Sequence, residues 1–262
     1  MTSKPPSPSS DELVRVPHAP LTAYYAKEED RSEFLREIFD KTAIDYDRIE
    51  KAMAFGSGSW YRREALVRAG LTKGMTVADV GIGTGLVARQ ASIIIGDATL
   101  ITGIDPSAGM MNAGHLPAGI SLLNGKAESI PLPDESVDFI SMGYALRHIS
   151  DLSVAFKEFT RVLKPGGRFC ILEITKPQTP LGTWILKTYM RTVVPIIAWA
   201  IAKEPATRTM WRYYWDTIEA CAPPSRVLAT LRAAGLVEVK RHVELGIFSE
   251  YQGLKPFNAS NM

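Results

Sequence analysis

The run VADVGIGTG, Val77 to Gly85, constrains this chain more than any other feature: a short strand-like segment enters a glycine-rich turn that opens a helix. Gly81, Gly83 and Gly85 let the backbone turn sharply, and they let a ligand approach main-chain atoms with no Cβ in the way. Such turns sit at the carboxyl ends of strands in doubly wound sheets, where nucleotides bind. A glycine turn alone is a weak signal, because dinucleotide sites use a related GxGxxG pattern to receive a pyrophosphate. Here the spacing is GxGxG, and Asp79 stands just before the first glycine. A carboxylate there would repel a pyrophosphate but suits the ammonium of a methionine moiety. S-adenosylmethionine (SAM) therefore fits the turn better than NAD.

The rest of the chain supplies the frame. From Gly74 onward, strand-like runs (TVADV, LITGID, ISLLN, VDFISMG, RFCILEI) alternate with helical ones (LVARQASIII, SAGMM, SVAFKEFTRVL), and the turn Lys164 to Gly167 precedes RFCILEI. The pattern predicts an α/β fold with a doubly wound, mostly parallel seven-stranded sheet. Two final strand-like runs, VEVKRHVEL and IFSEY, follow the helix SRVLATLRAAG. Between Pro177 and Pro224 the rhythm breaks, and residues 176–222 are expected to form an apolar helical insertion acting as a lid near the strand ends. Upstream, EFLREIFDKTAIDYDRI has helical spacing with an expected break near Asp45 to Asp47. Residues 1–34, rich in Pro and Ser at the start, are expected to be a flexible arm, and residues 35–262 a single catalytic domain.

Further candidate site residues lie just past the strand ends. Asp105, in GIDPS, can accept hydrogen bonds from both hydroxyls of a ribose, with Pro106 beside it. The competing reading is a cap on the helix near Ser107. Ala127 and Glu128 occupy a loop that could lie along an adenine, although Glu128 could equally be a solvated charge. In SMGYALRHISD, Arg147, His148 and Asp151 follow a strand end. His148 could take a hydroxyl proton with Asp151 orienting its ring at HxxD spacing, or it could cap a helix or pack beside the cofactor.

Bulk properties narrow the partners. The formal net charge of the 262 residues is +2 with no basic tract, which argues against a nucleic-acid substrate. Cys170 and Cys221 show neither metal-ligand nor disulfide-framework spacing, so no metal is expected. The start lacks the apolar core of a secretory signal, pointing to the cytoplasm. Val193 to Ala202 is too short to cross a bilayer and is flanked by Lys187, Arg191 and Lys203, so it reads as a buried or interfacial helix.

Together these motifs resemble the UbiE/COQ5 family of ubiquinone/menaquinone biosynthesis C-methyltransferases over nearly the whole chain after about residue 35. The match is carried by YDRIEKAMAFGSGSWYRR, VADVGIGTG, ALRHI, RVLKPGGRFCILEIT, WRYYWDTI and YQGLKP. The resemblance implies a Rossmann-like class I SAM-dependent methyltransferase, with cofactor contacts from Thr84, Asp105, Lys126, Ala127 and Gly143. It also implies Tyr46 near the methyl-transfer site and Arg147 as an active-site residue. The chain departs from the family pattern at Glu50, Ser59 and His148, which replace asparagine, histidine and asparagine. At the adenine position Lys126 can only donate hydrogen bonds, and Gly143 replaces a small hydroxyl residue.

The expected reaction is methyl transfer from SAM, with S-adenosylhomocysteine as product, to a small hydrophobic aromatic acceptor, by C-methylation of a quinol or phenol. O- or N-methylation, with His148 deprotonating the heteroatom, and a non-catalytic scaffold on the same fold are the competing readings. The excess of apolar residues from Trp184 to Trp215, with Pro195 expected to bend a helix, points to a greasy pocket wall oriented by Tyr189, Arg212 and Tyr213. A homodimer interface or a peripheral membrane contact would use the same residues.

Overall fold

In a computed structural model of the chain, covering residues 13–257, seven strands form one sheet. They are β1 (Val77–Val80), β2 (Ile101–Asp105), β3 (Ser121–Asn124), β4 (Val137–Gly143), β5 (Leu163–Ile174), β6 (Val237–Glu244) and β7 (Phe248–Leu254). Their order is β3-β2-β1-β4-β5-β7-β6. The first five are parallel, and β7 lies antiparallel between β5 and β6. All four residues of β1 are buried, as a central strand covered on both faces requires. The order reverses at β1 and β4, so a crevice opens past their carboxyl ends, where ligands bind in such sheets.

Two apolar layers flank the sheet. α2 (Gly58–Arg68) and α3 (Leu86–Ile95) cover one face with Leu66, Val87 and Ala91. α5 (Leu152–Val162) and α9 (Pro224–Ala233) cover the other with Phe156, Phe159, Val227 and Leu231. α5 starts where it does because the Asp151 carboxylate accepts from the Ser153 and Val154 amides. α4 (Ala108–Ala113) is capped in the same way by Ser107, which accepts from Met110.

A third apolar cluster lies beyond the strand ends. It packs α1 (Arg31–Met53) against the insertion, built of α6 (Pro180–Thr188), a π-helical turn at Tyr189–Val193, α7 (Val194–Ala202) and α8 (Pro205–Ala220). Pro195 does not break this helix. It has no amide proton to give, and the wide turn before it, closed by Val194 donating to the Tyr189 carbonyl, absorbs the misfit. Pro180–Ala202 thus runs as one 23-residue helix, long and apolar enough by length and composition alone to span a bilayer. Val193 to Ala202, read in isolation as too short, is only its second half.

Three other expectations change. Lys164 to Gly167 is no turn before a strand: β5 pairs with β4 at Leu163 and again at Arg168, so these residues bulge within it. α1 does not break near Asp45 to Asp47, because both carboxylates find side-chain partners instead of competing for the backbone: Asp45 takes Arg48, and Asp47 takes Thr84 and Arg89. The arm is packed over its described part. Val14 donates to Thr230, the Arg15 carbonyl receives Leu152, the Pro17 carbonyl receives Ala222, and Tyr25 is buried. Residues 1–12 lie outside the described range.

Candidate active site

One cavity of about 550 Å³ lies past the carboxyl ends of β1, β2 and β4. It has two halves of different chemistry.

The first half is built from backbone turns. Gly81 and Gly83 hold φ values of +72° and +53°, the left-handed region that favours glycine. A Cβ at Gly81 would also meet that of Ala145 at 2.8 Å. Thr84, Pro106, Lys126, Ala127, Glu128 and Gly143 line the same half with Asp105. At Gly143 a Cβ would sit 2.5 Å from the Val87 side chain, so the hydroxyl side chain of the family pattern would displace α3 here.

Asp105 is nine-tenths buried and accepts from the Gly83 amide on one oxygen and the Ser107 amide on the other, both at 2.8 Å. The N-cap of α4 is Ser107, whose own amide is the one held by Asp105. Burial lifts the Asp105 carboxyl to about 6 against the lowering effect of these two amides. Each oxygen keeps a lone pair for a ligand hydroxyl.

Asp79 does not face the cavity. It is 1% exposed beneath the glycine turn, with Oδ1 accepting from Ser141 at 2.7 Å and Oδ2 without a partner, and burial lifts it to about 7. Its expected pairing with a ligand ammonium is therefore not a wall contact. Glu128 is a half-buried carboxylate whose Oε1 accepts from the Ser150 and Asp151 amides. α1 closes this half from outside: Asp47 bridges Thr84 and Arg89, while Asp40 takes the Ser107 hydroxyl and the Gly109 amide.

The second half is apolar, with polar groups at its inner end. Leu35, Phe39, Met53, Leu186, Met190 and Phe248 line it beside Tyr46, Glu50, Arg62, Tyr144, Arg147, His148, Tyr189 and Tyr214. Arg147 is fully buried, ion-paired to Glu173, donating to Thr217, and set 3.9 Å over the Tyr214 ring. Its Nη2 has no partner among the described residues. Tyr144, just past β4, holds φ +59°, a strained conformation for a bulky side chain at a cavity wall.

His148 lines this half, but the expected dyad is absent. Asp151 pairs with Arg15 and caps α5, and both ring nitrogens of His148 lack partners. The ring lies between Phe39 and Tyr213. Burial first, and then the Arg147 and Arg31 cations, hold its pKa well below the usual histidine value, so the ring is neutral.

Of the predicted acceptor contacts, only Tyr189 reaches the wall, its hydroxyl donating to the Met53 carbonyl at 2.8 Å. Arg212 is exposed, and Tyr213 is buried behind His148. Its neighbour Tyr214 reaches the cavity instead, because one residue along a helix is a turn of about 100°. The apolar excess of the insertion also points elsewhere than expected: Leu181, Trp184, Ile185, Ile196 and Trp199 are all more than half exposed.

Sequence reasoning missed Glu50, Arg62, Tyr144 and Tyr214 as wall residues, and Glu173 as the buried partner of Arg147. Only Glu173 carried a usable signal, as a carboxylate within the apolar strand run CILEI that had to find a buried partner.

Solved structures share this fold. A SAM-dependent methyltransferase from Aquifex aeolicus matches with a TM-score of 0.55 and 24% identity, over 79% of this chain and 97% of that one. The [4+2]-cyclase SpnF matches with a TM-score of 0.60 and 17% identity, over 87% and 97%. Sheet order, glycine turn and cavity together define the class I SAM-dependent methyltransferase architecture. The sequence profile of the ubiE/COQ5 methyltransferase family matches residues 25–255. Demethylmenaquinone methyltransferase of Symbiobacterium thermophilum is 31% identical over 80% of this chain and 87% of its own length. The ubiquinone/menaquinone biosynthesis C-methyltransferase UbiE of Syntrophotalea carbinolica is 33% identical over 84% and 93%. The chain belongs to the ubiE/COQ5 methyltransferase family; it is a SAM-dependent methyltransferase, and SAM is its cofactor.

Proposed function

We propose that this enzyme methylates a ring carbon of a hydrophobic, hydroxylated aromatic acceptor of the demethylmenaquinol type. The observation that carries the reading is the two-part cavity: a glycine- and carboxylate-lined half is continuous with an apolar half that ends in Tyr46, Arg147 and His148. The names of the relatives, which act in menaquinone and ubiquinone synthesis, favour the same acceptor.

The residues present fit SAM. Gly81 and Gly83 leave main-chain atoms open to a methionine moiety, Asp105 keeps acceptor capacity for a ribose, and Lys126 and Ala127 flank the place of an adenine. Bound SAM supplies a methyl group on a positive sulfur, ready for in-line displacement. The chain's part is to orient the ring and raise its electron density. Arg147, fixed by Glu173, places a cation at the polar end of the cavity and favours the ionised form of a ring hydroxyl there. Neutral His148 and Tyr46 complete the polar end, while Leu186, Tyr189 and Met190 cover the cavity as the lid. We place the enzyme in the cytoplasm as one catalytic domain. The exposed apolar face of Pro180–Ala202 is where a membrane surface or a second copy of the chain would sit.

The test is methyl transfer from isotope-labelled SAM to a panel of naphthoquinols, phenols and amines, with the label located by NMR. A new carbon-methyl bond on a naphthoquinol is the expected result, and an ether or methylamine product would replace this reading with O- or N-methylation.

A further inference from the structure

Among the described residues, four carboxylates line the cavity: Glu50, Asp105, Glu128 and Glu244. They differ in place and in how far their oxygens are used. Asp105 holds two loop amides in the cofactor half, Glu128 holds the amides that open α5 through Oε1 alone, and Glu244, at the end of β6, lies 4.0 Å from Arg68 and 3.6 Å from His242. Glu50 stands in the acceptor half beside Arg62 and Tyr144, and only one of its oxygens is used: Oε1 accepts from Arg62 at 2.6 Å. Its second oxygen accepts no hydrogen bond among the described residues, and the side chain, only 12% exposed, lines the cavity.

The pair is held firmly. Arg62 is 3% exposed, and its guanidinium lies 5.4 Å from the centre of the Tyr144 ring. The Gly58 backbone packs so closely that a Cβ there would lie 2.5 Å from Arg62 Nη1 and 2.7 Å from Glu50 Oε1. A carboxylate fixed in a largely buried wall, with one oxygen free, calls for a donor from whatever fills the cavity. Tyr46 and Tyr144 are close enough to feel its charge, yet neither donates to it.

We infer that Glu50 is a specificity-determining residue whose free oxygen accepts a hydrogen bond from a hydroxyl of the acceptor ring and so fixes which ring carbon faces the methyl donor. This rests on the proposed aromatic acceptor and adds a requirement: the ring carries a free hydroxyl at the Glu50 end, opposite any apolar substituent. An ether oxygen at that place cannot donate, and it would leave the carboxylate oxygen desolvated without a partner.

Binding separates this inference from the proposed function because it needs no turnover. The full chain, saturated with S-adenosylhomocysteine, is titrated with 1-naphthol and with 1-methoxynaphthalene, followed by fluorescence. The native protein should prefer 1-naphthol by about tenfold, the size of a charge-assisted hydrogen bond. Glu50→Leu should bring the two within about twofold while leaving S-adenosylhomocysteine affinity unchanged. Glu50→Gln keeps an uncharged acceptor and should fall between. Absence of a preference in the native protein, or its persistence in Glu50→Leu, overturns the inference. If Glu50→Leu does not fold, Glu50→Gln decides: a preference at least threefold smaller supports the inference, and an unchanged one overturns it. Failure of the native enzyme to methylate any naphthoquinol, with the hydroxyl preference intact, would count against the acceptor class and not against Glu50.

Discussion

The two halves of the cavity satisfy their polar groups in opposite ways. In the cofactor half nearly every buried polar atom already has a partner: Asp105 holds Gly83 and Ser107, Thr84 holds Asp47, and Glu128 holds the start of α5. In the acceptor half Arg147 Nη2, both nitrogens of His148, the Tyr61 hydroxyl and Arg62 Nε have none. The first half is thus pre-shaped by its own loops, whereas the second leaves several buried polar atoms unpaired in and behind its wall. Asp79 Oδ2 is the exception on the cofactor side.

The sharpest way to break this contrast is through the ion pair that anchors the acceptor half. Glu173→Leu leaves the Arg147 guanidinium buried and uncompensated, so denaturant unfolding should show a loss of about 3–5 kcal/mol. A loss below 1 kcal/mol would mean that the pair does not organise this half. On the cofactor side, Asp105→Ala should weaken S-adenosylhomocysteine binding tenfold or more in calorimetry, through loss of the ribose acceptor and of two loop anchors. Unchanged affinity in a folded variant would remove Asp105 from the site.

The pH responses of the halves should also differ. Asp105, lifted to about 6, must be ionised to receive ribose hydroxyls, so S-adenosylhomocysteine affinity should fall as pH drops through 6, by up to tenfold per unit. His148 works on stability instead. Its folded pKa lies below the unfolded value, so the unfolded chain binds the extra proton, and stability is lost as pH falls below about 6.5. His148→Phe should flatten that acid limb in thermal melts. An unaltered limb would show that His148 is solvated.

What the sequence revealed follows the same division. Gly81, Gly83 and Asp105 were readable because a strand, a turn and a helix start fix their geometry within a few residues, Ala127 and Glu128 from their place in a loop, and Thr84 and Lys126 only through the family resemblance. The mostly parallel sheet and the insertion followed from the alternation of elements, whereas the order of the strands came only from the structure. The acceptor half was poorly readable because it is assembled from α1, α2, β5 and α8, segments distant in the chain. Tyr213 and Tyr214 look alike in sequence, and only the packing of α8 decides which one faces the cavity. Glu50 and Arg62 are ordinary helix charges until α1 and α2 bring them together.

The smallest expected effect tests the outer surface of the acceptor half. Trp184 and Trp199 are 64% and 59% exposed, on a helix whose buried side is made by Met190, Val194 and Ala198. Burial of a large aromatic side chain is what makes its loss costly, so Trp184→Gln and Trp199→Gln, alone or together, should shift the stability of the isolated chain by no more than about 0.5 kcal/mol. Met190→Ala, on the same helix, should cost about 2–5 kcal/mol by opening a cavity. Hydrogen exchange supplies the complementary reading: the backbone from Trp184 to Trp215 should gain protection when S-adenosylhomocysteine and a naphthol are added together, because Leu186, Tyr189 and Met190 then have a ligand to close on. If protection depends on protein concentration alone, or if Trp184→Gln costs more than 2 kcal/mol, the exposed face is an interface between subunits. The insertion would then be fixed by assembly and would not close on substrate.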